Sequence, residues 1–141
     1  MNRQGVPVFL FWLGLHLARN ALVARVLGTP PPVLMEASPR EQARVDQVLR
    51  NIMPLGSRAA GLRNDGLIAS SLTRYDLEAI RSPTLVISLR DDLYGTFAGA
   101  QYTAHHIPGA RFVGYERGGH LCVGHHEQLM DEIASLLTQR R

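Results

Sequence analysis

The sequence predicts an α/β fold in two unlike halves: a helical first half, then a β-α-β-α unit with two parallel strands. Three observations carry this. Thr84-Leu85-Val86-Ile87-Ser88-Leu89 is a short β-branched, apolar run, the composition of a parallel strand buried on both faces. Ala110 to Tyr115 reads as a second strand, and the residues from Thr96 to Ile107 between them are helical in pattern. Before Arg74 the patterning is helical. The boundary therefore falls near Arg74, between a helical region, residues 1–74, and an α/β segment, residues 75–141.

The first helix is expected over Val8 to Leu27, ending at Gly28. Its start, Val6 to Leu15, is almost wholly apolar and follows Arg3, so a secretory leader is the competing reading. Against it, His16, Arg19 and Arg25 interrupt the apolar pattern that continues to Leu27. The same charges leave fewer than the roughly 20 apolar residues that a membrane span needs. A helix packed within the protein is the expectation.

Thr29-Pro30-Pro31-Pro32 follows, and three prolines predict a stiff extended connector. Ser38-Pro39-Arg40-Glu41 is a helix start: Ser38 caps, Pro39 takes the first helical position, and Glu41 sits where the reciprocal capping-box bond is made. Val45, Val48, Leu49 and Ile52 mark one apolar face, and Pro54 ends the helix. Ser57 to Leu72, with Gly61 and Gly66, reads as irregular with a helix at its end. Tyr75 to Ile80 is a short helical turn. His125 to Leu137 closes the chain as an amphipathic helix, with Leu129, Ile133, Leu136 and Leu137 on one side.

Composition narrows the function. The 141 residues are 45% hydrophobic and 19% charged, which is globular rather than disordered. All 15 basic residues are arginines, scattered from Arg3 to Arg141 among 12 acids. That scatter argues against a nucleic-acid face, which gathers basic residues with aromatics. The single cysteine, Cys122, excludes an internal disulfide and points to a reducing cytoplasm. It lies two residues from His120, and as a nucleophile it would need a lowered pKa and exposure; a lone cysteine is more often a small packed hydrophobe. His105-His106 and His125-His126 raise a zinc reading. Adjacent helical histidines point to different faces, and nothing completes a tetrahedral set, so no metal or other cofactor is expected.

The chemistry-bearing residues lie at the strand ends. Asp91-Asp92 follows the first strand and Gly118-Gly119-His120 follows the second. Ligands of open α/β sheets bind beyond the carboxyl ends of strands. A helix, a strand and two loops separate Asp92 from His120, which returns both to one sheet edge. A carboxylate there can accept a bond from imidazole Nδ1–H and stabilise the imidazolium. Asp92 is favoured over Asp91 as that acid. The order acid then histidine is that of Ser…Asp…His. No Gly-x-Ser-x-Gly occurs: Ser38, Ser57, Ser70, Ser71, Ser82, Ser88 and Ser135 all lack the flanking glycines, and Ser70-Ser71 are the nearest to a candidate.

The stretch from Tyr75 to Leu137 resembles the C-terminal end of the α/β-hydrolase fold. The marks are Ile80-x-x-Pro83-Thr84-Leu85-Val86-Ile87, Arg90-Asp91-Asp92, Ile107-Pro108-Gly109-Ala110-Arg111 and Gly118-Gly119-His120. The family's acid maps onto Asp92 and its histidine onto His120. The first half looks like the helical lid of such enzymes, with Pro54-Leu55-Gly56-Ser57-Arg58 in the segment returning from it. The resemblance is tightest over residues 80–124. It implies a partial α/β-hydrolase fold whose further strands, serine elbow and oxyanion hole would precede Met1.

The implied function is a truncated hydrolase of esters or related carbon-heteroatom bonds, to which this chain supplies only Asp92 and His120. Phe9, Phe11, Trp12 and Leu15 would line the pocket for a small apolar substrate. The alternative is an inactive stand-alone remnant acting by binding. Two parallel strands leave an open edge, so a homo-oligomer through that edge or the lid-like helix is expected. A membrane-associated peptide using Val6 to Leu15 is the weakest account.

Overall fold

The computed structural model describes residues 5–52 and 55–138. Six α-helices and two strands follow in the order α1 (Gly5–Leu27), α2 (Pro31–Glu36), α3 (Pro39–Ile52), α4 (Leu55–Ser70), β1 (Leu85–Leu89), α5 (Phe97–His106), β2 (Arg111–Tyr115) and α6 (His126–Thr138). A single 3-10 turn, Leu77–Ala79, leads into β1. The class is mixed α/β, as the patterning predicts.

Two elements differ from expectation. The prolines do not form an extended connector throughout: Pro30 is extended, but Pro31 and Pro32 open α2. The first-turn N–H groups of a helix have no partner within it, so proline loses nothing there, and its fixed φ already suits the helix. The stretch read as irregular is the 16-residue helix α4. Each glycine costs a helix about 1 kcal/mol relative to alanine. Arg58, Ala59, Ala60, Leu62, Arg63 and Leu67 are strong helix formers that offset it.

Ser38 caps α3 as its sequence requires, accepting the Glu41 N–H at 3.3 Å. The Glu41 carboxylate turns instead to Arg44 and to the backbone of Gly124. Val45 and Leu49 are fully buried, with Val48 and Ile52 packed beside them.

The strands pair in parallel, Leu85 opposite Arg111 through Leu89 opposite Tyr115. β1 is less buried than its apolar run suggests: Ser88 and Leu89 are buried, but Leu85, Val86 and Ile87 are only half-buried. The described sheet has two strands, too few to cover a central strand on both sides. On α6, Leu129, Ile133 and Leu136 are half-buried, while Leu137 is exposed.

The main apolar cluster lies outside the sheet. Val23, Leu27, Val33, Leu34, Val45 and Leu49 from α1–α3 close around Val123, with Leu121 packed against them. Val123 and Leu121 belong to the turn that follows His120, so the helical half packs directly on the histidine loop. Ion pairs Arg40–Glu127 and Arg117–Glu36 cross between the halves at the surface.

Candidate functional site

β1 and β2 run in the same direction, so their carboxyl ends deliver Asp91-Asp92 and the 116–125 loop to one edge. There His120 Nδ1 lies 3.0 Å from Asp92 Oδ2. Thr96 Oγ1 donates to the same oxygen at 2.5 Å, and the Tyr94 N–H donates to Oδ1 at 2.9 Å. The Asp92 side chain is only 3% exposed, whereas that of His120 is 47% exposed.

Protons in this network are fixed by valence. Burial alone would push the Asp92 carboxyl up, but the bonds from Thr96, His120 and the Tyr94 N–H outweigh it and hold the group below its ordinary range. Asp92 is therefore an acceptor only, and Nδ1 carries the imidazole proton. Thr96 spends its one hydroxyl proton on Asp92, so Ser88, 3.1 Å away, donates to Thr96. The result is a directed chain from Ser88 to Thr96 to Asp92, with His120 donating from the other side. In neutral His120, Nε2 is then the free base, and it has no hydrogen-bond partner among the described residues.

Asp91 has a different task. Its two carboxylate oxygens accept the backbone N–H groups of Gly118 (3.1 Å) and Gly119 (2.8 Å). It holds the loop, while Asp92 holds the ring.

The helical half contacts the same loop. The Gly28 carbonyl accepts both the Leu93 N–H (3.0 Å) and the His120 N–H (3.2 Å). Thr29, fully buried, accepts the Leu121 N–H at 3.3 Å and donates to Leu27 O. Tyr94 reaches across to Val26 O at 2.8 Å, and its ring meets His120 edge-on at 4.8 Å between centroids. Gly28 is left-handed, with φ at +57°. A Cβ there would stand 2.9 Å from the Tyr94 ring and 3.0 Å from His120 Cβ. Glycine is thus required on two counts, backbone and space.

Other candidates divide. Phe9 is 65% exposed and lies five turns before Leu27, roughly 27 Å of helix away. The side chains of Phe11, Trp12 and Leu15 lie outside the described residues. Ser70 and Ser71 bond back to Leu67 O within α4, as helical serines do. Burial pushes the Cys122 thiol up and outweighs the Arg44 guanidinium that favours the thiolate, with Asp92 adding to the rise, so the net effect is the reverse of nucleophile activation. His106 stacks on Tyr102 and His125 on Tyr115. Among the described residues no group of three or more His, Cys, Asp or Glu gathers as a metal site would.

Sequence reasoning missed Thr96, Tyr94, Gly28, Thr29, Glu41 and Arg44. Gly28 reads as a helix stop and Thr29 as part of a proline linker; only the fold brings them under His120. Thr96, four residues after Asp92 at a helix start, is the one with a local signal. Compared with protein-family models, curated proteins and solved structures, the chain matches none of them.

Proposed function

We propose that this chain carries the acid and the general base of an α/β-hydrolase-type enzyme, acting on an ester or a related carbon-heteroatom bond. The observation that supports it is the Asp92–His120 bond at the carboxyl ends of two parallel strands. In this reading a serine hydroxyl from outside these 141 residues lies against Nε2. His120 takes its proton as oxygen attacks the carbonyl, then returns the proton to the leaving group. Asp92, buried and ionised, keeps Nδ1 protonated and stabilises the imidazolium. The chain alone, without nucleophile and oxyanion donors, turns over no substrate.

The coding DNA in frame ahead of Met1 tests this. It should encode further strands and a Gly-x-Ser-x-Gly, and the extended protein should react with a fluorophosphonate probe. His120→Ala should abolish that labelling. A stop codon just ahead of Met1, with no labelling, rejects the enzyme.

A second reading, a binding protein that self-associates, is favoured by exposed Phe9, Leu10 and Leu13 on α1 and by the half-buried two-stranded sheet. Sedimentation equilibrium decides it: a dimer supports it, and a monomer at all concentrations rejects it.

A further inference from the structure

The turn from Gly118 to Gly124 is tied down along its backbone. Asp91 takes the first two N–H groups, Gly28 O the third and Thr29 Oγ1 the fourth. Within the turn, Cys122 N–H bonds Gly119 O and Val123 N–H bonds Gly118 O. Two contacts on its far side come from α3. Arg44 Nη2 donates to Leu121 O at 2.9 Å, and Glu41 Oε2 accepts the Gly124 N–H at 3.1 Å.

Those two side chains are also bonded to each other. Arg44 meets both Glu41 oxygens, at 2.8 Å through Nη2 and 3.2 Å through Nε, a bidentate pair of high geometric specificity. Their side chains are 25% and 14% exposed, unlike the open Arg40–Glu127 pair at 80% and 76%. The bond from Arg44, with that from Gly124, holds the Glu41 carboxyl below its ordinary range. Glu41 takes the capping-box position yet spends its carboxylate on the loop, 83 residues away.

Resting on the dyad reading above, we infer that Glu41 and Arg44 are positioning residues for His120. The pair grips the turn on both sides of Cys122 and fixes the direction from which the imidazole meets Asp92. The helical half is thereby part of the base-orienting machinery. Neither residue touches the imidazole; both act through the carbonyl of Leu121 and the amide of Gly124.

The test uses the 141-residue chain and NMR, and so needs no nucleophile. In the wild type the His120 Nδ1 proton should give a downfield resonance that Asp92→Asn removes. Glu41→Ala and Arg44→Ala should each weaken or abolish it and speed hydrogen exchange at the Leu121, Val123 and Gly124 amides at least tenfold. The Arg90 and Arg111 amides, which bond Tyr115 O and Thr84 O across the strand pair, should stay protected, which separates loss of positioning from loss of fold. Glu41→Gln, which keeps an acceptor for Gly124, should retain much of the resonance. Arg40→Ala removes an α3 ion pair that does not touch the turn and should change nothing. If Glu41→Ala and Arg44→Ala leave the resonance and the exchange rates as in wild type, positioning is overturned while the dyad stands. If Arg40→Ala has the same effect as they do, the role is general docking and the inference fails. A wild-type chain without the Asp92-dependent resonance overturns the dyad itself, and the inference with it.

Discussion

Asp91 and Asp92 are neighbours with divided roles: Asp91 binds the backbone of the histidine loop, and Asp92 binds the histidine ring. Their substitutions should therefore fail differently. Asp91→Ala strips partners from the buried Gly118 and Gly119 amides, at about 1–3 kcal/mol for each amide left unpaired. Urea unfolding should report a clear loss of stability. Asp92→Asn keeps the shape and the fold but offers an amide where Nδ1–H needs a carboxylate. On the proposed function, the extended protein carrying this change should lose about four orders of magnitude in kcat, the size seen when a serine protease loses this group. Equal stability losses with equal residual activity would contradict the division.

Acid should loosen this protein through two identified carboxylates. Asp92 and Glu41 are held below their ordinary values of 3.8 and 4.5, Asp92 by bonds that overcome its burial and Glu41 chiefly by Arg44. A carboxyl depressed by folding contributes stability that is fully present above its unfolded value. That contribution disappears as pH falls from that value through the folded one. Stability should be flat near neutrality, begin to fall below about pH 4.5 and fall further below 3.8. Urea midpoints measured against pH will show it, and Glu41→Gln should flatten the upper part of the fall. A midpoint that rises on acidification would refute the assignment.

Local patterning made much of this fold legible. The run Thr84–Leu89, the cap Ser38-Pro39 and the face Val45-Val48-Leu49-Ile52 are decided by neighbours in sequence, and each forms the element expected. Asp92 and His120 were legible because strand ends in a parallel pair converge. Burial was less so: the half-exposed β1 depends on how many strands flank it, which no six-residue window contains. The α2 prolines illustrate a different limit, since Pro-Pro favours an extended connector yet is also tolerated in a helix's first turn, where no N–H is needed. Most of the missed residues around the dyad are joined to it only in three dimensions. Gly28 and Arg44 come from a helix end and a helix face, and no spacing rule ties them to His120.

Cys122 should be a slow thiol. Burial raises it by more than the Arg44 guanidinium lowers it, and Asp92 also opposes its ionisation, so little thiolate exists near neutral pH. Iodoacetamide should alkylate the native chain several-fold more slowly than the denatured chain at the same pH. Asp92→Asn should narrow that gap. A native rate above the denatured one would mark Cys122 as activated and reopen its reading as a nucleophile.

Gly119 offers the sharpest test of how closely the two halves meet. It is left-handed, with φ at +61°, and a Cβ there would lie 2.6 Å from Thr29 Cα and 2.8 Å from Thr29 Cβ. Thr29 cannot give way by turning a side chain, because the contact includes its backbone and its hydroxyl is bonded on both sides. Gly119→Ala therefore combines left-handed strain of about 1–2 kcal/mol with displacement of the Gly28–Thr29 turn from the loop. Gly95→Ala is the matched control: its φ is +67°, but nothing lies within 4 Å of the added carbon. It should cost only the strain. Thermal unfolding should rank Gly119→Ala well below Gly95→Ala, and NMR should show Leu121 and His120 amide shifts moving only in the former. Equal melting points for the two would mean that the helical half does not sit against the histidine loop in solution.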